Sequence, residues 1–143
     1  MLKNQRGGAA VEFAIVLPLL ALILFGTIDF ALLFYNKQVL TNASREGARA
    51  AIIANNWDSK DSNGFPTGNA TEPVNIIKFY CLNHLVNLGG DNNLKNDPTI
   101  VDAGNFIIAT VTYDYDHLFS SIIGISKTTL TGKTVMRQEW DDS

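Results

Sequence analysis

Apolar residues are concentrated in one long run near the start of the chain, and polar residues dominate the remainder. From Phe13 to Tyr35 only one side chain, Asp29, carries a charge. A helix of these 23 residues would be about 34 Å long, against a hydrocarbon core of about 30 Å. The pattern predicts a transmembrane helix over about 13–35, contained in a longer helix over 8–56.

Small residues recur at helical spacing after the apolar run. Two interpretations of this stripe are open. It packs closely on the chain's own domain, or it admits a partner helix, as helix bundles in filaments require. The spacing of three and four residues is seen in Val39, Ala43, Gly47, Ala50 and Ala54.

The polar part of the chain, 57–143, predicts a second helix after a loop over 55–70. Thr71-Glu72-Pro73 has a capping residue and a proline in the first turn, which is typical of a helix start. Gly89-Gly90 is typical of a helix end. The apolar face between them consists of Val74, Ile77, Cys81, Leu85 and Leu88.

Strands follow the second helix. Residues Phe106 to Asp116 alternate between apolar and polar, and Thr128 to Arg137 form a weaker candidate, with Gly124 between them. Ile100-Val101 adds a short third strand. We therefore expect an α+β fold: a long N-terminal helix, transmembrane in its first half, followed by a small antiparallel β-sheet covered by the second helix.

Charge and composition exclude several classes of function. Residues 57–143 hold six basic side chains against eleven acids, which argues against nucleic acid as a partner. Cys81 is the only cysteine, so an internal disulfide is impossible and a structural zinc site is implausible. No catalytic motif is present, and alternation along the strand separates Asp114 and Asp116 from His117. We expect no enzyme, cofactor or metal.

The apolar run does not resemble a secretory signal peptide, because it is too long and no small-residue cleavage site ends it. Lys3 and Arg6 precede it, while only Lys37 follows closely. The positive-inside rule places the N-terminus in the cytoplasm and the bulk of the chain outside. Pro18 interrupts the run and predicts a kink.

Glu12 stands at the start of this run, where a carboxylate is costly and usually functional. Two interpretations compete. Glu12 lies in the headgroup region, favoured by the helix dipole, or it pairs with a cation. A chain cleaved before Gly8 would supply that cation as its new amino terminus.

The stretch from Arg6 to Phe13, with Gly7, Gly8 and Glu12, resembles the prepilin peptidase site of Tad (Flp) class type IV pilins. A downstream series, Ala43-Ser44-Arg45-Glu46-Gly47-Ala48-Arg49-Ala50-Ala51, is similar to the TadE-like family of minor, pilin-like proteins. The resemblance covers residues 6–54 as an ordered series of motifs, of which Phe13, Arg45, Glu46, Gly47, Ala48 and Arg49 are part.

The resemblance implies a leader over residues 1–7, cleaved between Gly7 and Gly8, and a mature chain whose fifth residue is Glu12. It also implies a pseudopilin of the bacterial inner membrane with an exported domain over 57–143, which a pilus would carry to the cell surface. Its partners would be other pilin subunits, the prepilin peptidase, the assembly platform and membrane lipid. In such a pilus Glu12 would neutralise the amino terminus, at Gly8, of a neighbouring subunit.

A different class of function stays open. In this alternative the leader is not cleaved, and the chain is a permanently anchored module whose exported domain binds envelope or secretion-system components. An uncleaved leader together with absence from sheared filaments would favour this alternative.

Overall fold

The computed structural model describes residues 6–53, 71–88, 90–103, 105–117, 119, 124 and 126–137. The predicted loop over 55–70 lies outside these residues. Within them the elements follow in the order α1 (Arg6–Ile53), α2 (Thr71–His84), β1 (Thr99–Asp102), β2 (Phe106–Asp116) and β3 (Lys127–Arg137). The strands form one antiparallel sheet in the order β1-β2-β3. The predicted α+β fold is confirmed.

Helix α1 has two parts with different surroundings. It runs without interruption through Pro18, and from Gly7 to Ile28 its side chains are exposed except for the half-buried Ala21. From Asp29 onwards one face is buried against the rest of the chain. The second part of α1 is therefore the central helix of the C-terminal α+β domain.

The sheet packs its inner face on α1. This face is formed by alternate residues of β2, all buried as the alternation predicted: Ile107, Ala109, Val111, Tyr113 and Tyr115. On β3, Gly132 lies opposite Val111 and allows a close approach, because a Cβ at that position would overlap the backbone of Leu40. Most helix contact on the sheet comes from α1, while α2 packs mainly on α1.

Helix α2 runs antiparallel to the second part of α1. Gly47 of α1 faces Ile77, and a Cβ at Gly47 would overlap that side chain. Nearer the first part of α1, the Asn36 amide accepts a hydrogen bond of 2.9 Å from the Val86 backbone N–H and donates one of 2.6 Å to the Val86 carbonyl. The stripe is thus covered by the chain's own domain at Val39, Ala43 and Gly47, which are buried, while Ala54 lies outside the described residues.

The end of α2 differs from the predicted one. The helix ends at His84 and not at Gly89-Gly90, because the Val86 backbone bonds to the Asn36 side chain instead of continuing the helical ladder. The assignment of Leu88 to the buried face was therefore wrong, since Leu88 is 57% exposed. Ile77, Cys81 and Leu85 are buried as predicted.

Candidate functional site

The predicted cleavage site lies in the first turns of α1. Gly7 and Gly8 are helical and exposed, and a Cβ added at either would meet no neighbouring atom. On the following turns Ala9, Glu12 and Phe13 line an open cleft with Val16. The structure thus places Gly8 and Glu12 four residues apart on one helix face, about 6 Å along the axis.

Glu12 is exposed, and in the described part of the chain no hydrogen bond or ion pair engages its carboxylate. It is followed by an apolar helical surface. Between Val11 and Leu24 every large apolar side chain is about half or more exposed, as Phe13 at 65% and Ile15 at 71% show. An unpaired carboxylate beside such a surface is costly in a membrane unless a cation joins it.

Helix α1 is long and apolar enough to cross a membrane, with a mean hydropathy of 2.4 over its most apolar window, none of which is buried. The predicted span of 13–35 nevertheless overlaps the domain, because Asp29 is buried and Leu32 and Leu33 pack against the core. The freely exposed apolar stretch ends at Ile28.

Asp29 is the residue where the two parts of α1 meet, and its side chain is only 3% exposed. The Tyr115 hydroxyl donates to Oδ1 at 2.8 Å, and Nδ1 of His117 lies 3.0 Å from Oδ2. Nε2 of His117 in turn lies 2.8 Å from Oγ1 of Thr128. Burial, followed by the hydrogen bond and the charge of Asp29, raises the pKa of Tyr115. The phenol therefore remains a hydrogen-bond donor at neutral pH.

Asp29, His117 and Thr128 follow the same hydrogen-bond order as the carboxylate, imidazole and hydroxyl of a hydrolase triad. A triad also needs donors that stabilise an oxyanion next to the hydroxyl. Thr128 is instead an inward-facing strand residue opposite Tyr115, and among the described residues its hydroxyl has only His117 as hydrogen-bond partner. We interpret this cluster as structural.

Sequence reasoning missed the Asp29 cluster. It separated His117 from Asp114 and Asp116, and the structure agrees: Asp114 bonds to Lys95 and Thr129 on the outer face of the sheet. The partner of His117 is on α1, 88 residues away. The available signal was Asp29 itself, since a charge inside an apolar run requires a partner.

The downstream motif divides into a buried and an exposed half. Ser44 is buried and its hydroxyl lies 2.6 Å from that of Thr134 on β3. Gly47 and Ala48 are buried between α1 and its neighbours. Arg45, Glu46 and Arg49 are exposed. In the described part of the chain Glu46 and Arg49 form no ion pair, although their spacing on the helix would allow one.

Within the described residues one helix is long and apolar enough for a single-pass membrane anchor, and it leads into a small α+β domain. Residues 7–49 match the family described as TadE-like protein. This confirms the family resemblance over residues 7–49, which carry most of the motifs. Neither the curated proteins nor the solved structures contain a match to the chain.

Proposed function

We propose that the chain is a minor pilin-like subunit, a pseudopilin, of a Tad/Flp-type pilus. It is processed by prepilin peptidase and acts in pilus assembly, priming or adhesion. The observation that carries the proposal is Glu12, an exposed carboxylate four residues after Gly8 at the start of an exposed apolar helix, with no hydrogen-bond or ion-pair partner among the described residues. The match of residues 7–49 to the TadE-like family supports it.

Processing removes residues 1–7 on the cytoplasmic side of the inner membrane. A peptidase must reach an extended backbone, and the bond between Gly7 and Gly8 lies at a helix start. Two glycines there each weaken the helix by about 1 kcal/mol relative to alanine. No neighbouring side chain packs on either of them. Local unwinding of this first turn therefore costs little free energy.

The membrane anchor consists of residues 8–28, about 31 Å of helix, with the C-terminal domain exported. This proposal moves the span towards the N-terminus relative to the 13–35 expected from hydropathy alone. The reason is that Asp29 and the residues beyond it are engaged by the domain. Asp29 then marks the outer end of the span.

Cleavage creates an amino group at Gly8, and Glu12 supplies its counter-charge. Inside an apolar filament core the carboxylate of one subunit neutralises the amino terminus of its neighbour, because an unpaired buried charge costs several kcal/mol. The same pairing fixes the axial register between subunits. The partners are other pilin subunits, the peptidase and the assembly platform of the inner membrane.

The proposal is tested by mass spectrometry of the mature N-terminus, with peptides of the chain sought in sheared pili. Glu12→Ala should leave insertion and cleavage intact and reduce piliation. Asp97→Ala, which removes an 82% exposed carboxylate of the domain outside the motif, is the control and should leave piliation normal. Normal piliation of Glu12→Ala would refute the pairing role. An intact leader and absence from pili would favour the uncleaved anchored module.

A further inference from the structure

Two aromatic rings connect the C-terminal domain to the apolar part of α1. Phe119 follows the end of β2, and its ring stacks on Phe25 with centroids 4.2 Å apart and planes inclined by 12°. Phe25 belongs to the exposed apolar stretch of the helix and is itself 39% exposed. One end of the domain therefore contacts the exposed apolar stretch of α1, which is the lipid-facing surface of the proposed membrane anchor.

The position of this end along the helix is fixed by the Asp29 cluster. Asp29 lies one turn after Phe25, about 6 Å along the axis. Its carboxylate is bonded to Tyr115 and His117 at the end of β2. The connection from β2 to β3 thus starts at the level where the exposed apolar stretch ends.

The sequence of this connection has the composition of a membrane contact. From Leu118 to Ser126 it contains no ionisable side chain, and five of its nine residues are large and apolar. The first charges beyond it belong to Asp116 and Lys127, which form an ion pair of 3.3 Å. The connection is therefore apolar in composition and is flanked in the sequence by charged residues.

The opposite side of α1 carries exposed aromatic residues at a similar height. Phe30 and Phe34 pack edge to face with centroids 4.6 Å apart, and they are 62% and 57% exposed. Tyr35 is 47% exposed. Aromatic side chains are enriched where a membrane protein crosses the lipid–water interface. These three residues and Phe119 lie on different sides of the helix within a few turns.

We propose that the membrane end of the C-terminal domain is seated in the bilayer interface, with Phe119 in contact with lipid. The occupant of this apolar surface is the bilayer, because the surface is continuous with the exposed apolar face of the membrane anchor. The domain is then held close to the membrane by α1 and by Phe119 together. This inference rests on the proposed membrane anchor and does not depend on cleavage or on entry into a pilus.

Tryptophan fluorescence in lipid vesicles tests the contact between Phe119 and lipid directly. The full chain, with Trp57→Phe and Trp140→Phe, is reconstituted into phosphatidylcholine–phosphatidylglycerol vesicles whose acyl chains are brominated near the glycerol. Phe119→Trp provides the probe, and Ser126→Trp, at an exposed position of the same connection, provides a second one in case the first variant fails to fold. Val135→Trp is the matched control, since Val135 is 55% exposed on β3 away from this end.

We expect emission from Phe119→Trp to be blue-shifted and quenched severalfold more by brominated lipid than emission from Val135→Trp. Equal quenching at the two positions would overturn the proposal. A blue shift that grows with the protein-to-lipid ratio and is insensitive to bromine would also overturn it, by assigning the surface to a second copy of the chain. All fluorescence measurements use uncleaved, unassembled protein, so they test the lipid contact of Phe119 alone. The pilin proposal is tested separately, by the mature N-terminus and by the content of sheared pili.

Discussion

Asp29 and His117 lie 3.0 Å apart between Oδ2 and Nδ1, although 88 residues separate them in the sequence. Both side chains are almost fully shielded, with 3% and 9% of their surface exposed. The same carboxylate accepts a hydrogen bond from Tyr115. The single charged side chain of the apolar run is therefore held by hydrogen-bond partners at the end of β2, which join the first part of α1 to the C-terminal domain.

Removal of this carboxylate should loosen the domain at its membrane end. We predict that Asp29→Ala lowers the free energy of unfolding by about 2–3 kcal/mol, because the buried partners on β2 lose a charged hydrogen-bond acceptor. Chemical denaturation in detergent micelles measures the change. Asp97→Ala is the control, since this carboxylate is 82% exposed in its pair with Lys78 and should contribute at most about 1 kcal/mol. Equal losses in the two variants would contradict the role of Asp29.

The close packing of α1 on β3 and α2 predicts how alanine at three glycine positions changes the stability of the domain. Gly132→Ala should destabilise the domain by about 1–3 kcal/mol, because the added Cβ overlaps the backbone of Leu40, which cannot move independently of the helix. Gly47→Ala should have a smaller effect, since Ile77 can change its side-chain conformation. Gly26→Ala, where a Cβ meets no neighbour, should be neutral or stabilising. Thermal unfolding of the three variants gives the order, and destabilisation by Gly26→Ala equal to that by Gly132→Ala would refute it.

The strands and the membrane helix were predictable because each carries a local period. The alternation from Phe106 to Asp116 gave β2 with both ends correct, and the buried half of the stripe from Val39 to Gly47 followed the helical spacing. Local patterns also located Thr71 as the start of α2. A pattern that lies within one helix or strand can therefore be predicted from the sequence.

Features that depend on a distant side chain were not predictable. The end of α2 is set by Asn36, which lies 50 residues before Val86, so the glycine pair that usually ends a helix was misleading. The same holds for Asp29, whose environment was inferred from its neighbours in the apolar run. Hydropathy reports what surrounds a residue along the chain, whereas the boundary between anchor and domain is decided by contacts across it.

Alkaline pH should destabilise the domain through Cys81. Burial raises the pKa of this thiol from 9.0 to about 11, so the folded state holds the proton more tightly than the unfolded state. The stability that comes from this is fully present below pH 9 and is lost as the pH rises towards 11. We expect the difference in unfolding free energy between the parent chain and Cys81→Ala to shrink over this range and to stay constant from pH 6 to 8.

The comparison with Cys81→Ala is needed because other groups act in the same direction. Burial also raises the pKa of Tyr113 and Tyr115, so both chains should lose stability at high pH. Denaturation midpoints measured at several pH values separate the two contributions. A difference that stays constant across the alkaline range would mean that Cys81 ionises in the folded state as readily as in the unfolded state, contrary to its burial.

The exposed charges of the TadE-like motif should matter outside the chain's own fold. Arg45 and Arg49 are exposed, and in the described part of the chain neither makes an ion pair. Their replacement by Glu should therefore change the unfolding free energy by no more than about 0.5 kcal/mol each. If the chain is a pilus subunit, the double variant should nevertheless reduce piliation. Lys133→Glu, an exposed charge reversal on β3, is the control. Loss of stability in the arginine variant would show that these charges act within the fold. Normal piliation by a stable variant would show that piliation needs no external partner for them.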